Sequence, residues 1–357
     1  MVMIVDAESG LLIASLVLYL AGGILSGLIP SRFNPLATVV SMGGALAGAG
    51  AGLILSLSFL IDGAPFSIRL PVSLPLFPLV IRLDFLSAFF LLLISLLGFA
   101  IALFSLGYLK GYERDHRVGR FGFLFNFLFI SLTGVVLAAD AITFLIAWET
   151  MTLFAYLLVS YEDEQVESVR AGNLYLVMSH AGTAFIFIAF LLLMVASGGT
   201  EFESFRLARS VLTDGARTSL FLFALIGFGV KAGLIPLHIW LPVAHPAAPS
   251  NVSATMSGVI IKMGIYGMAR FFFDFLGPGP VWWGGLLLFL ASISALLGVM
   301  YALMEHDIKR LLAYHSIENI GIILIGFGAA MIFGSFGRDP LAALALMAGL
   351  YHTLNHA

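Results

Sequence analysis

The sequence predicts an all-α polytopic membrane protein, and three observations predict it. Of 357 residues, 61% are hydrophobic and 10% charged, with a mean hydropathy of +1.06. A soluble domain carries roughly 25% charged residues. The apolar runs are continuous and about 20 residues long, which suits spanning helices and not the alternating strands of a barrel. Finally, one of these runs, GVKAGLIPLHIWLPVAHPAAPS at 229–250, holds a lysine and four prolines. Proline lacks an N–H and interrupts a helix, so this run is expected to break just after Lys231, leaving a short second piece and a partly open backbone. Pro236 and Pro242 are the expected break residues.

In chain order the expected spans are 10–29, 35–61, 85–108, 121–139, 141–160, 171–196, 219–244, 250–275, 281–304, 310–336 and 340–357, about eleven in all. The seventh is the broken one. The segment 62–84 holds four prolines and is expected to be an ordered extramembrane loop with short strands. Segment 197–218 is a polar connector with room for an amphipathic helix. The start, MVMIVDAESG, carries Asp6 and Glu8 and no basic residue, so it lacks the n-region of a signal peptide and the first span is expected to be retained. The basic cluster KGYERDHRVGR at 110–120 favours a cytoplasmic face there and the N-terminus outside. The last run ends at YHTLNHA without a stop signal, as expected for a fragment. Net charge is −3, which offers nothing for nucleic acid. The absence of cysteine excludes disulfides and thiolate-held iron–sulfur clusters.

Four charged residues fall deep inside these spans: Glu149, Lys231, Lys262 and Glu318. At 1.5 Å of rise per residue, Glu149 and Glu318 lie roughly 12 Å into their helices, and Lys231, Lys262 and His352 roughly 18 Å. The hydrocarbon is about 30 Å thick, so all five are expected near its midplane. Each deep charge costs at least about 2.5–3.5 kcal/mol. For one such pair a salt bridge that fixes packing is the lesser reading, since ionisable groups inside a membrane are functional by default. A layer of them, joined by histidines, reads as a pathway.

The motifs supply the partners. IAWETMTLFAY (146–156) carries Glu149, whose expected partner is Lys231. SGVIIKMGIYGMAR (257–270) carries Lys262, with Gly258, Gly264 and Gly267 permitting close helix approach. LLAYHSIENIGIIL (311–324) sets His315 and Glu318 three residues apart on one face, with Asn319 beside them. YHTLNHA puts His352 and His356 one turn apart. Zinc would need further ligands, so no metal is expected there. A neutral histidine costs little in an apolar setting and titrates near neutrality, which suits a proton relay. His238 follows the break. His180 stands alone in the sixth span and suggests no role.

The run GVKAGLIPLHIWLPVAHPAAPSNVSATMSGVIIKMGIYGMAR resembles the core of the proton-translocating antiporter-like membrane subunits of complex I, Mrp-type Na⁺/H⁺ antiporters and membrane-bound hydrogenases. The resemblance extends from about residue 85 to the end. HSIEN at 315–319 is similar to the branch found in hydrogenase-4 and formate hydrogenlyase complexes. The resemblance implies that Glu149 is the fifth-helix glutamate, Lys231 the lysine of the broken helix, Lys262 the bridging lysine, and His352 and His356 the eleventh-helix histidines. It implies N-terminal helices at 1–120, a first five-helix repeat at 121–275, and the start of a second, inverted repeat at 276–357. The expected function is proton translocation along Glu149, Lys231, Lys262, His238, His315, Glu318, His352 and His356. The chain is expected to carry no cofactor itself. Its expected partners are other membrane subunits, a peripheral hydrogenase or dehydrogenase arm, and the lipid of a prokaryotic inner membrane. Sodium exchange and a non-transporting scaffold are the two rival readings.

Overall fold

The computed structural model describes residues 7–74, 77–113 and 117–357. Asp6, used in reading the first span as retained, and part of the 110–120 basic cluster, used to orient the chain, lie outside the described residues. In chain order the elements are α1 (Ala7–Leu28), α2 (Asn34–Asp62), β1 (Phe66–Leu74), β2 (Phe77–Leu83), α3 (Phe85–Tyr108), α4 (Val118–Leu137), α5 (Ala141–Val159), α6 (Val166–Ser197), α7 (Phe202–Ala208), α8 (Asp214–Ala232), α9 (Leu241–Ala247), α10 (Ser250–Thr255), α11 (Ile261–Ala269), α12 (Val281–Met304), α13 (Ile308–Ser335) and α14 (Asp339–Asn355). Two π-helical turns, Met256–Ile260 and Arg270–Phe275, flank α11. Ten helices among the described residues are long and apolar enough to cross a membrane. The all-α polytopic architecture is therefore the one the composition predicts. α14, at 17 residues, is shorter than those ten.

The seventh expected span, 219–244, breaks after Lys231 as expected, and its outer limits widen to 214 and 247. α8 begins at Asp214, capped by the Thr213 hydroxyl, and stops at Ala232, where Gly233 takes the left-handed conformation at φ 77°. Only glycine enters that region without steric cost. The backbone resumes as the short α9. The proline-rich segment after α2 forms an antiparallel hairpin, Phe66 pairing with Leu83 and Arg69 with Val80 before a register shift. The polar connector holds α7.

The chain divides into two compact units, Met1–Tyr161 with Pro249–Thr255, and Glu162–Ala248 with Met256–Ala357. In the first, α1 and α2 cross at Gly22 and Gly44, where a Cβ on Gly44 would stand 2.5 Å from the Gly22 Cα. Without a hydrophobic drive between helices in lipid, such small-residue contacts supply the packing. Asp140 is fully buried before α5. Its carboxylate accepts from Thr143 N at 2.8 Å and from Val80 N at 3.0 Å, so one cap also ties the hairpin to the helix.

In the second unit α11 lies against the end of α8, where a Cβ on Gly264 would come within 2.7 Å of the Phe228 carbonyl. α12 and α13 meet through Gly298, whose Cβ would stand 2.6 Å from Glu318 N, and through Gly321, 2.5 Å from Ala295 N. Phe202 and Phe205 dock α7 among Phe190 and Phe275. Because Gly298 abuts backbone, Gly298→Val is expected to destabilise the unit by about 1–3 kcal/mol through overpacking, and Gly298→Ala by less. Thermal unfolding in detergent measures the difference.

Candidate functional site

The break after α8 exposes backbone groups that must find partners, because an unpaired polar group in an apolar interior is costly. Leu234 N donates to Gly229 O at 3.0 Å. Val230 O accepts from the Trp240 indole at 2.8 Å, and Ile235 N donates to the Ser294 hydroxyl of α12 at 3.0 Å. The Ile235–Pro236 peptide is cis. Pro236 stands in the break itself. Pro242 sits in the first turn of α9, where a missing N–H costs nothing, so it opens the second piece.

Lys231 lies in the last turn of α8, 2% exposed. Its ammonium donates to the Tyr175 hydroxyl of α6 at 2.8 Å and sits 4.8 Å from that ring's centroid. Tyr175 in turn packs edge-on against Trp240 at 5.1 Å, so the lysine, its partner and the break form one cluster. His238 is half-buried in the break, and its Nδ1 has no hydrogen-bond partner among the described residues. Glu149 is half-buried on α5, in the first unit.

Lys262 is fully buried on α11. The π-helical turn before it shifts the backbone ladder and directs the Ser257 carbonyl at Lys262, five residues on, which donates to it. Such turns recur at functional sites. The ammonium's second partner is His356 Nδ1 at 2.8 Å. Ser257 and Ser316 share a hydrogen bond at 2.8 Å, fixing α13 beside this turn.

From His356 the polar contacts continue. His356 N donates to His352 O at 3.0 Å. His352 Nε2 meets Asn319 Oδ1 at 2.8 Å, while Asn319 Nδ2 donates to His315 O at 2.7 Å. That second bond fixes the amide orientation, so Oδ1 faces His352 and the imidazole carries a proton on Nε2. His315 Nδ1 lies 2.6 Å from Glu318 Oε2, both side chains half-buried. Side-chain bonds thus join Lys262 to His356, His352 to Asn319 and His315 to Glu318, and bonds to the backbone of α14 and α13 connect these three pairs.

Four participants were missed as site residues by sequence reasoning. Tyr175, Asn319 and Ser257 are neutral and give no charge signal, although Asn319 stands next to Glu318. His245 is 1% exposed on α9, with Lys262 and Lys309 within electrostatic range. The signal was its place in the proline-rich run. Near it a cavity of about 640 Å³ is lined by Glu162, Glu167, Arg170, Asp307, Lys309 and Arg310. Lys309 donates to Ala248 O at 2.8 Å, and the Ser168 hydroxyl to Ala247 O at 3.2 Å. These bonds satisfy the carbonyl end of α9, which Pro249 cannot.

Among the described residues no cluster of three or more metal-ligating side chains occurs. The donor set suits proton exchange. In the Lys262–His356 bond either nitrogen can hold the proton, giving ammonium with neutral imidazole or amine with imidazolium.

Residues 138–349 match the family model described as NADH:quinone oxidoreductase/Mrp antiporter, TM, and residues 76–137 match NADH-Ubiquinone oxidoreductase (complex I), chain 5 N-terminus. Hydrogenase-4 component B of Escherichia coli is 42% identical over 97% of this chain and 51% of its own length. Formate hydrogenlyase subunit 3 of the same organism is 36% identical over 78% of this chain and 43% of its own. The chain spans about half the length of the curated relatives it matches. The fold is shared with a chain of the Mrp complex from Dietzia, at TM-score 0.81 and 23% identity, over 98% of this chain and 36% of that one. From residue 76 onward the sequence matches these models almost without a gap, and the chain belongs to the NADH:quinone oxidoreductase/Mrp antiporter family of integral membrane proteins.

Proposed function

We propose that the chain is a proton-translocating membrane subunit of a hydrogenase-type or complex I-like oxidoreductase, with Glu149, Lys231, Lys262, His352, His356, His315 and Glu318 as its proton-carrying groups. The observation that carries this reading is the run from the fully buried Lys262 to His356 and on through His352 and Asn319 to His315 and Glu318. A lysine with no exposed surface has its charge balanced by local partners alone. A change in any of those partners alters whether it holds its proton.

In this reading protons arrive from the polar cavity at α9, past His245 and the broken helix with His238, and reach the lysines. Transfer within the Lys262–His356 bond moves a proton from α11 to α14. Asn319 carries none; it orients His352 for the next exchange. Redox chemistry belongs to partner subunits and a peripheral hydrogenase or dehydrogenase arm, which drive the file by changing the charge near Glu149 and Lys231. The repeats at 121–275 and from 276 onward, the N-terminus outside, and a prokaryotic inner membrane are part of the same proposal. The family description also covers Mrp antiporters, and the cavity lining includes the carboxylates Glu162, Glu167 and Asp307 as oxygen donors for a cation, so sodium exchange is the second reading.

Lys231→Ala and Lys262→Met, each in the complete protein within its native complex, are expected to slow substrate-driven proton pumping by about 10²-fold or more. Fluorescence quenching in inverted membrane vesicles measures this. Undiminished pumping with intact assembly refutes the file, and a loss of assembly alone favours a scaffold. A dependence of transport on sodium without any redox substrate selects the antiporter reading. Asn319→Leu, which removes an orienting amide and no titrating group, should slow pumping by about tenfold, near 1.4 kcal/mol, in the same assay.

A further inference from the structure

The helix that carries Lys262 continues past it as a ladder of polar side chains. Tyr266, Arg270 and Asp274 follow at four-residue intervals, with about 12 Å of rise between Lys262 and Arg270. Arg270 Nε donates to the Tyr266 hydroxyl at 3.0 Å, and its guanidinium lies 5.3 Å from that ring's centroid. Arg270 Nη1 donates to Asp274 Oδ2 at 3.0 Å. Asp274 is gripped on both oxygens by Arg206 of the connector, at 2.7 and 2.8 Å, and Arg206 also binds Glu203 at 2.8 Å. Arg206 stands outside the spanning segments, and its pKa is raised, first by the hydrogen bond to Asp274. Exposure increases along the ladder, from Lys262 at 0% and Arg270 at 6% to the partly exposed Asp274.

Such a ladder offers protons a second way out of the buried lysine. The chemistry of Arg270 denies it. A relay group must both accept and donate, whereas a guanidinium has five donors, no acceptor and a permanent charge. The Tyr266 hydroxyl already receives a hydrogen bond from Arg270, so a wire through it ends on a group that takes no proton. A fixed cation also repels an incoming proton, as arginines do in selective pores.

We propose that Arg270 is an electrostatic barrier sealing the C-terminal end of the Lys262 helix against proton leak, with Tyr266 and Asp274 holding its guanidinium in place. This rests on the reading of Lys262 as part of a proton file. The test follows the decay of an imposed pH gradient, without substrate, in membrane vesicles that hold the complete protein in its complex. R270Q should speed the decay several-fold, and R270K, whose ammonium can release and regain a proton, should speed it by less. Y266F, which removes only the positioning hydroxyl, should give a smaller increase and serves if R270Q does not assemble. Adding K262M to R270Q should restore slow decay, because the leak runs through Lys262. R270Q and Y266F vesicles as tight as wild type overturn the barrier, as does a leak in R270Q that K262M leaves unchanged, since that marks loosened packing. If K262M alone leaves driven pumping intact, the file reading fails; if K262M abolishes pumping while R270Q stays tight, only the barrier fails.

Discussion

A lysine with no exposed surface, Lys262, constrains everything around it. An ammonium buried in an apolar helix bundle needs acceptors on hand, or it loses its proton. The first acceptor comes from its own helix: the π-helical turn at Met256–Ile260 turns the Ser257 carbonyl toward it. The second comes from α14, where His356 ends the helix. α13 is drawn in because Ser316 pairs with Ser257 and Asn319 with His352. Helix packing in the second unit and the polar run are therefore one problem. The glycines that bring α12, α13 and α14 together also set the spacing at which these side chains meet.

Lys231 meets the same constraint differently. Its helix ends one residue later, and the break is closed by side chains from outside the strand of backbone it interrupts: Trp240 on Val230 O and Ser294 on Ile235 N. The ammonium rests on Tyr175, which offers an oxygen and a ring face. One lysine thus has a carbonyl and an imidazole as partners, the other a phenol.

The sequence singled out its candidate charged residues because a charge inside a span is expensive and therefore conspicuous. Lys231, Lys262, Glu149 and Glu318 stand out in that way, and the His315–Glu318 spacing gave their pairing. The helical spans followed from continuous apolar runs, and the hairpin and α7 from the two polar segments. Asn319, Tyr175 and Ser257 were not legible as site residues. A neutral hydrogen-bonding side chain costs little in a span and has no periodic signature, so only coordinates reveal what it touches. Nor was the π-helical turn, since no residue pattern in MSGVI marks a shift of ladder register. The break expected after Lys231 was legible from the prolines, but the residue that ends α8, Gly233 in the left-handed conformation, was not singled out.

The bond from Lys309 to the Ala248 carbonyl has a mechanical consequence. Lys309 belongs to the first turn of α13, and His315, Glu318 and Asn319 lie within the next three turns of the same rigid rod. Its far end of contact is the short α9, hung by its carbonyls from Lys309 and Ser168. Sliding α13 along its axis would therefore tug the cavity wall and re-space the imidazoles in one stroke, coupling the mouth to the interior as a crank couples two wheels.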